Sequence, residues 1–177
     1  MGGCGRVENV RISNCGQAIR AGPAAMILNC QVSSNETAYG DAFLRAAQGS
    51  RIDGFSLGGA RSSVNISRAI ELDDGSLMED VSICNVALTG SCWIVDAGSG
   101  SLVSRCSVKD CRTTGGSVDG IHTFYGCLLV DSLVHGLGID PGINSSSSIE
   151  SFGGALVLRC QAGGVIVPGN SVCGFFG

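Results

Sequence analysis

The sequence predicts an all-β fold, a parallel β-helix (solenoid) of about seven coils with three short strands per coil, built by residues 1–177 as a single domain. Three observations carry the prediction. Glycine supplies 28 of 177 residues and aromatics only 5%, yet hydrophobic residues reach 44%. That mixture suits many short apolar strands joined by tight turns. No long stretch shows the 3.6-residue apolar period of a helix. Two short motifs alternate along the whole chain, which is the mark of a repeat architecture.

The first motif is an aliphatic residue, any residue, a turn-former, then a small or apolar residue. Its copies are Ile12-Ser13-Asn14-Cys15, Ile27-Leu28-Asn29-Cys30, Ile52-Asp53-Gly54-Phe55, Ile83-Cys84-Asn85-Val86, Val108-Lys109-Asp110-Cys111, Leu129-Val130-Asp131-Ser132 and Val157-Leu158-Arg159-Cys160. Asn, Gly or Asp holds the third place in all but the last copy, and these residues enter the left-handed backbone region at low cost. Each copy therefore reads as a strand, a one-residue bend and a second strand leaving in a new direction. The second motif supplies a third strand and a closing glycine: QAIRAG, DAFLRAAQG, RAIELDDG, CWIVDAGSG, DGIHTFYG, HGLGIDPG and GGVIVPG. Its large residues are Ile19, Phe43, Ile70, Ile94, Ile121, Ile139 and Val165, mostly about 24 to 27 residues apart with one step of about 18. Coils of that length stack at the inter-strand spacing of about 4.8 Å.

Ten cysteines invite a disulfide or metal reading. No C-x-x-C pair occurs, and His122 and His135 are not flanked by cysteines at finger-like spacing, so no metal site is expected. Cys15, Cys30, Cys111 and Cys160 share a motif place that Phe55, Val86 and Ser132 fill elsewhere. A ligand does not exchange for Phe or Val, whereas a small core filler does. These thiols are expected to line the interior in reduced form, with Cys106 also inward. A Cys15–Cys30 bridge between neighbouring coils stays geometrically open.

The Asn-Cys and Asp-Cys turns and closing glycines, as in ILNCQV and VKDCRTTGGSVDGI, resemble those of the right-handed parallel β-helix proteins of the pectate-lyase-like superfamily. The similarity runs from about Val7 to Cys173. It implies a right-handed solenoid closest in character to phage tail-fibre and tailspike proteins. The superfamily also contains polysaccharide lyases and glycoside hydrolases, so the fold leaves activity open. The signatures of those enzymes are missing. Asp73-Asp74 precedes a turn glycine, His135 stands in Val-His-Gly with no Arg-x-Lys after it, and Arg159 has no acidic neighbour in sequence.

Within a solenoid, the residue after each large member of the second motif should face outward along one wall: Arg20, Leu44, Glu71, Val95, His122, Asp140 and Ile166. His122 and Asp140 on adjacent coils would make an imidazole–carboxylate pair suited to acid–base work, with Glu71 two coils from His122. These three are the candidate catalytic residues. A plain surface ion pair is the competing reading. Trp93 and Tyr125 are the candidate sugar-stacking residues, although Trp93 reads better as a core or turn filler.

The formal charge of −4 with no basic cluster argues against nucleic acid as partner. No run reaches the roughly 20 apolar residues of a membrane span. The opening MGGCGRVENV lacks the features of a secretory signal, so a virion or cytoplasmic location is expected. No amphipathic helix is evident to cap either end. The expectation is a non-catalytic structural or receptor- or glycan-binding rod, a virion component or part of another large assembly. Its partners would be other protein chains and cell-surface polysaccharide, it would be oligomeric, and it needs no cofactor. The alternative is a polysaccharide lyase or glycoside hydrolase acting on the outer wall.

Overall fold

The computed structural model describes residues 5–13, 19–33, 36–37, 42–138, 147–163 and 175–176. The fold is an all-β, right-handed parallel solenoid. Its strands stack into four parallel sheets, three of seven strands and one of four. We number the faces in the order the chain visits them, illustrated by one turn. Leu77–Glu79 lies on the first face, Ser82–Cys84 on the second, Ala87–Thr89 on the third and Cys92–Ala97 on the fourth.

A five-residue period generates the first three faces. Gly75, Asp80, Asn85 and Gly90, and a turn later Gly100, Arg105, Asp110 and Gly115, all sit in the left-handed region with φ between 51° and 87°. Each such residue makes a corner. After each corner the first and third residues point inward, giving Ser76 and Met78, Val81 and Ile83, then Val86 and Leu88, all buried. The fourth face is wider. Its strands Cys92–Ala97 and Val118–Thr123 span six residues each before a turn returns the chain to the first face.

This arrangement corrects the expected coil. A turn carries four strands, not three. Four turns have strands on all four faces, and a fifth reaches the third face through the isolated Arg112–Gly138 bridge. Among the described residues about five turns are therefore complete on four faces, against the seven expected, while three of the sheets carry seven strands. The cause lies in the corner motif, which recurs within a turn as well as between turns. Of its copies, Ile27, Ile52, Leu129 and Val157 belong to the first face, while Ile12, Ile83 and Val108 belong to the second. Leu88-Thr89-Gly90 and Thr113-Thr114-Gly115 on the third face carry the same pattern. With the three-stranded coil gone, the resemblance to the pectate-lyase-like superfamily is withdrawn. The four-sided coil likewise conflicts with the virion, tail-fibre and tailspike reading.

The interior is a set of columns at rung spacing. Cys30, Phe55, Val81, Cys106 and Ser132 form one, continued by Cys160, since the carbonyl of each of the first five accepts from the strand that starts the next rung's second face. Cys111 stands in a different column with Ala60, Val86 and Leu137. Cys15 lies outside the described residues. Several buried serines are satisfied locally, as buried hydroxyls usually are, whereas the Ser148 hydroxyl has no partner among the described residues. The Ser76 hydroxyl donates to the Asp73 carbonyl at 2.7 Å, and the Ser76 amide donates to Ser101 Oγ at 3.1 Å.

The seven described cysteines are free thiols. Loss of water around the sulfur disfavours the thiolate, and burial pushes Cys92, Cys106 and Cys111 up to about 12. Among the described cysteines, alkylation of the folded chain with iodoacetamide at pH 8 should therefore spare these three and modify the half-buried Cys84 and Cys160 first. Peptide mass spectrometry reads the order, and labelling of Cys106 without denaturant would contradict the packing.

One corner column alternates charge along the rod: Asp80, Arg105, Asp131, Arg159. Arg105 donates Nε to Asp80 Oδ1 at 2.7 Å and its terminal nitrogen to Oδ2 at 2.9 Å. Arg159 grips Asp131 the same way at 2.6 and 2.7 Å. The Arg105 hydrogen bonds hold the Asp80 carboxyl below its ordinary value, and those of Arg159 do the same for Asp131. A depressed carboxyl contributes stability above its unfolded value near pH 4, lost as pH falls through the folded one. Arg105→Gln should move the Asp80 titration midpoint upward, read by carbon-13 NMR of the carboxyl. An unchanged midpoint would deny the pair.

Candidate binding groove on the fourth face

The wide fourth face presents an outward column whose register runs Arg20, Arg45, Glu71, Asp96, His122, Glu150. The inward column beside it is Ile19, Leu44, Ile70, Val95, Ile121, Ile149. Adjacent apolar residues explain the one-residue offset from the expected wall. Phe43-Leu44 and Ile94-Val95 are each buried as pairs, so apolarity alone does not say which member starts the outward count. Leu44 and Val95 thus point inward, and Arg45 and Asp96 take their places outside.

Asp96 is the hub. His122 Nδ1 lies 2.7 Å from Asp96 Oδ1, and Arg68 Nε is ion-paired with Asp96 Oδ2. Arg68 also reaches Glu71 Oε1 at 3.1 Å, and Arg45 Nε lies 3.4 Å from Glu71 Oε2. The chain of contacts Arg45–Glu71–Arg68–Asp96–His122 so crosses four rungs. Most of it is shielded from water: Glu71, Asp96 and His122 are 8%, 4% and 3% exposed. Ionic groups this buried persist only when mutually paired.

Aromatic rings enclose the histidine. The Trp93 ring stacks on His122 at 4.7 Å and 14°, while Phe124 and Phe152 meet it edge-on at 4.5 and 5.4 Å. The Arg68 guanidinium carbon lies 5.6 Å from the Trp93 centroid, within cation–π range. Beside this cluster opens a groove of about 460 Å³, whose walls include Arg68, Glu71, Asp73, Asp74, Asp96 and Phe124. Asp74 Oδ1 accepts a hydrogen bond from the Ser99 amide at 2.7 Å, which fixes that carboxylate at the rim.

Glu71 and His122 occupy the same outward column, two rungs apart, with Asp96 between them. Asp140 lies outside the described residues, and the carboxylate in contact with His122 is Asp96. Trp93 is half-buried against His122, and Tyr125 is 65% exposed at the turn that leaves the fourth face. Asp96 and Arg68 are the charged groove residues the sequence did not single out. The DAG following CWIV carried a signal for Asp96, an acid one place beyond a β-branched pair. Among the described residues no group of three or more His, Cys, Asp or Glu side chains is arranged to hold a metal. No helix among them is long and apolar enough to cross a membrane.

No family model matches the sequence, and no curated protein matches it. Among solved structures the chain aligns with HetL, a pentapeptide repeat protein involved in heterocyst differentiation regulation from the cyanobacterium Nostoc sp. strain PCC 7120. The alignment covers 95% of this chain and 91% of that one at 11% identity, with a TM-score of 0.20. At that score the likeness carries no argument about fold or function. The class assigned here, a four-sided parallel β-solenoid, rests on the sheets themselves.

Proposed function

We propose that the chain is a non-catalytic solenoid rod that binds a polyhydroxylated, glycan-type ligand in the groove of its fourth face. The observation that supports this is the groove's lining. Carboxylates and a guanidinium are held in place by one another and offer fixed acceptors and donors to sugar hydroxyls, with Phe124 as an apolar wall. Acid–base chemistry is poorly served, because both Asp96 oxygens are engaged and His122 is enclosed by three rings. Association with other chains belongs to the same proposal. An in-register column of outward leucines on the first face, Leu77, Leu102, Leu128 and Leu156, supports it.

Calorimetry against a panel of neutral and amino oligosaccharides tests the binding reading. Saturable binding weakened at least tenfold by Asp73→Ala is expected, and a panel without any saturable binder contradicts it. Glu71 and Asp96 line the groove from neighbouring rungs, whose backbones stack about 5 Å apart, and two adjacent carboxylates favour a hydrolase as the second reading. New reducing ends that vanish in Asp96→Asn would select that reading instead. Light scattering should give a mass above the 17.9 kDa of one chain, and a monomer at high concentration counts against assembly.

A further inference from the structure

We infer that the third face carries a separate oxyanion site, formed by Arg61 and Arg112 across Ala87. Arg61 and Arg112 are both register partners of Ala87, one rung to either side. The two arginines therefore project from one outward column about 10 Å apart at the backbone, with a methyl group where a third long side chain would stand. Guanidinium groups reaching toward each other over that distance leave room for one tetrahedral or carboxylate anion, gripped from both sides.

The gap is a cavity of about 210 Å³, bordered by Gly59, Arg61, Asn85, Ala87, Asp110 and Arg112. The absence of a side chain at Gly59 deepens it on the corner side. Asn85 holds the next corner with φ of 54° and brings its amide to the same rim. The neighbouring corner residue, Asp110, lies over the following rung, where a Cβ on Gly136 would be 2.4 Å from its Oδ1.

The two arginines are also available to an incoming anion. Arg6, Arg45, Arg51, Arg68, Arg105 and Arg159 each contact a carboxylate. Arg61 and Arg112 contact none among the described residues, although Asp110 lies on the same rim. Two cations and one anion border the cavity itself, and Glu36, the register partner of Arg61, stands on the far side of that arginine one rung away. Its ligand chemistry is an oxyanion (carboxylate, sulfate or phosphate) carried on a body that offers hydroxyl groups to Asp110 and Asn85. The site lies on a different face from the groove, and neither depends on the other.

The test titrates the full chain with glucuronate, glucose 6-sulfate and glucose 6-phosphate, with glucose as the neutral control. The side-chain Nε–H resonances of Arg61 and Arg112 report binding by NMR. Saturable shifts with at least one anion and none with glucose are expected, and the anion that binds identifies the oxyanion. Arg61→Ala should weaken binding at least tenfold. Ala87→Glu places a carboxylate in the gap, so it should fold normally and abolish the response. Shifts that never saturate, that glucose reproduces, or that survive unchanged in folded Ala87→Glu would overturn the inference.

Discussion

Gly116→Val should cost about 4 kcal/mol of stability or more and leave little folded protein at 37 °C. Gly116 follows the corner at Gly115 and enters the fourth face directly above Gly90 and Ser91 of the rung below. A Cβ there would lie 2.2 Å from the Gly90 carbonyl carbon and 2.2 Å from the Ser91 nitrogen. Both are backbone atoms of a hydrogen-bonded rung, so neither can swing aside as a long side chain does. The rungs must separate, and every inter-rung bond beyond that corner lengthens with them. Gly58→Ala is the matched control. Its Cβ meets only Cys84 Sγ at 3.6 Å, an ordinary contact, and the loss of unfolded-state freedom should make the change neutral or stabilising by about 0.5 kcal/mol. Urea denaturation of the two variants reads the difference, and equal midpoints would contradict close rung stacking at Gly116.

Asp96→Ala should destabilise the chain by about 3 kcal/mol, the range for breaking a buried ion pair by removing one partner. The substitution leaves His122 Nδ1 without its acceptor and strips Arg68 of one of its two carboxylates. Asp96→Asn keeps an oxygen acceptor in the same place, so it should cost less, about 1 to 2 kcal/mol. In both variants the Trp93–His122 stack loses the anchor that orients the imidazole, and the near-ultraviolet circular dichroism of the single tryptophan should change. An Asp96→Ala protein as stable as the parent would mean that the Arg68–Asp96–His122 contacts are incidental.

The parallel solenoid was legible in the sequence because its corners demand Gly, Asn or Asp and its strands demand inward aliphatics. Ile27, Ile52, Ile83 and Val108 all point into the core as their motif implies. The number of sides was not legible from one motif copy per coil. Arg105 occupies a left-handed corner, with φ of 51°, and disguises that bend behind a residue type that seldom adopts it. Threonine at Thr89 and Thr113 hid the third face further, since its strands are less apolar than the other two. The groove was half legible. The sequence pointed to Glu71 and His122 on one wall, but the buried Phe43-Leu44 and Ile94-Val95 pairs left the count off by one. Asp96 thereby stayed hidden behind Val95.

A turn of about 25 residues folds over four faces and lies in register on the next. Interstrand NOEs between backbone amide and α protons test it most directly. Four separate ladders are expected within one pair of turns, joining Met78 to Val103, Ile83 to Val108, Leu88 to Thr113 and Val95 to Ile121. Absence of the Leu88–Thr113 ladder while the other three persist would reduce the coil to three sides and contradict the account.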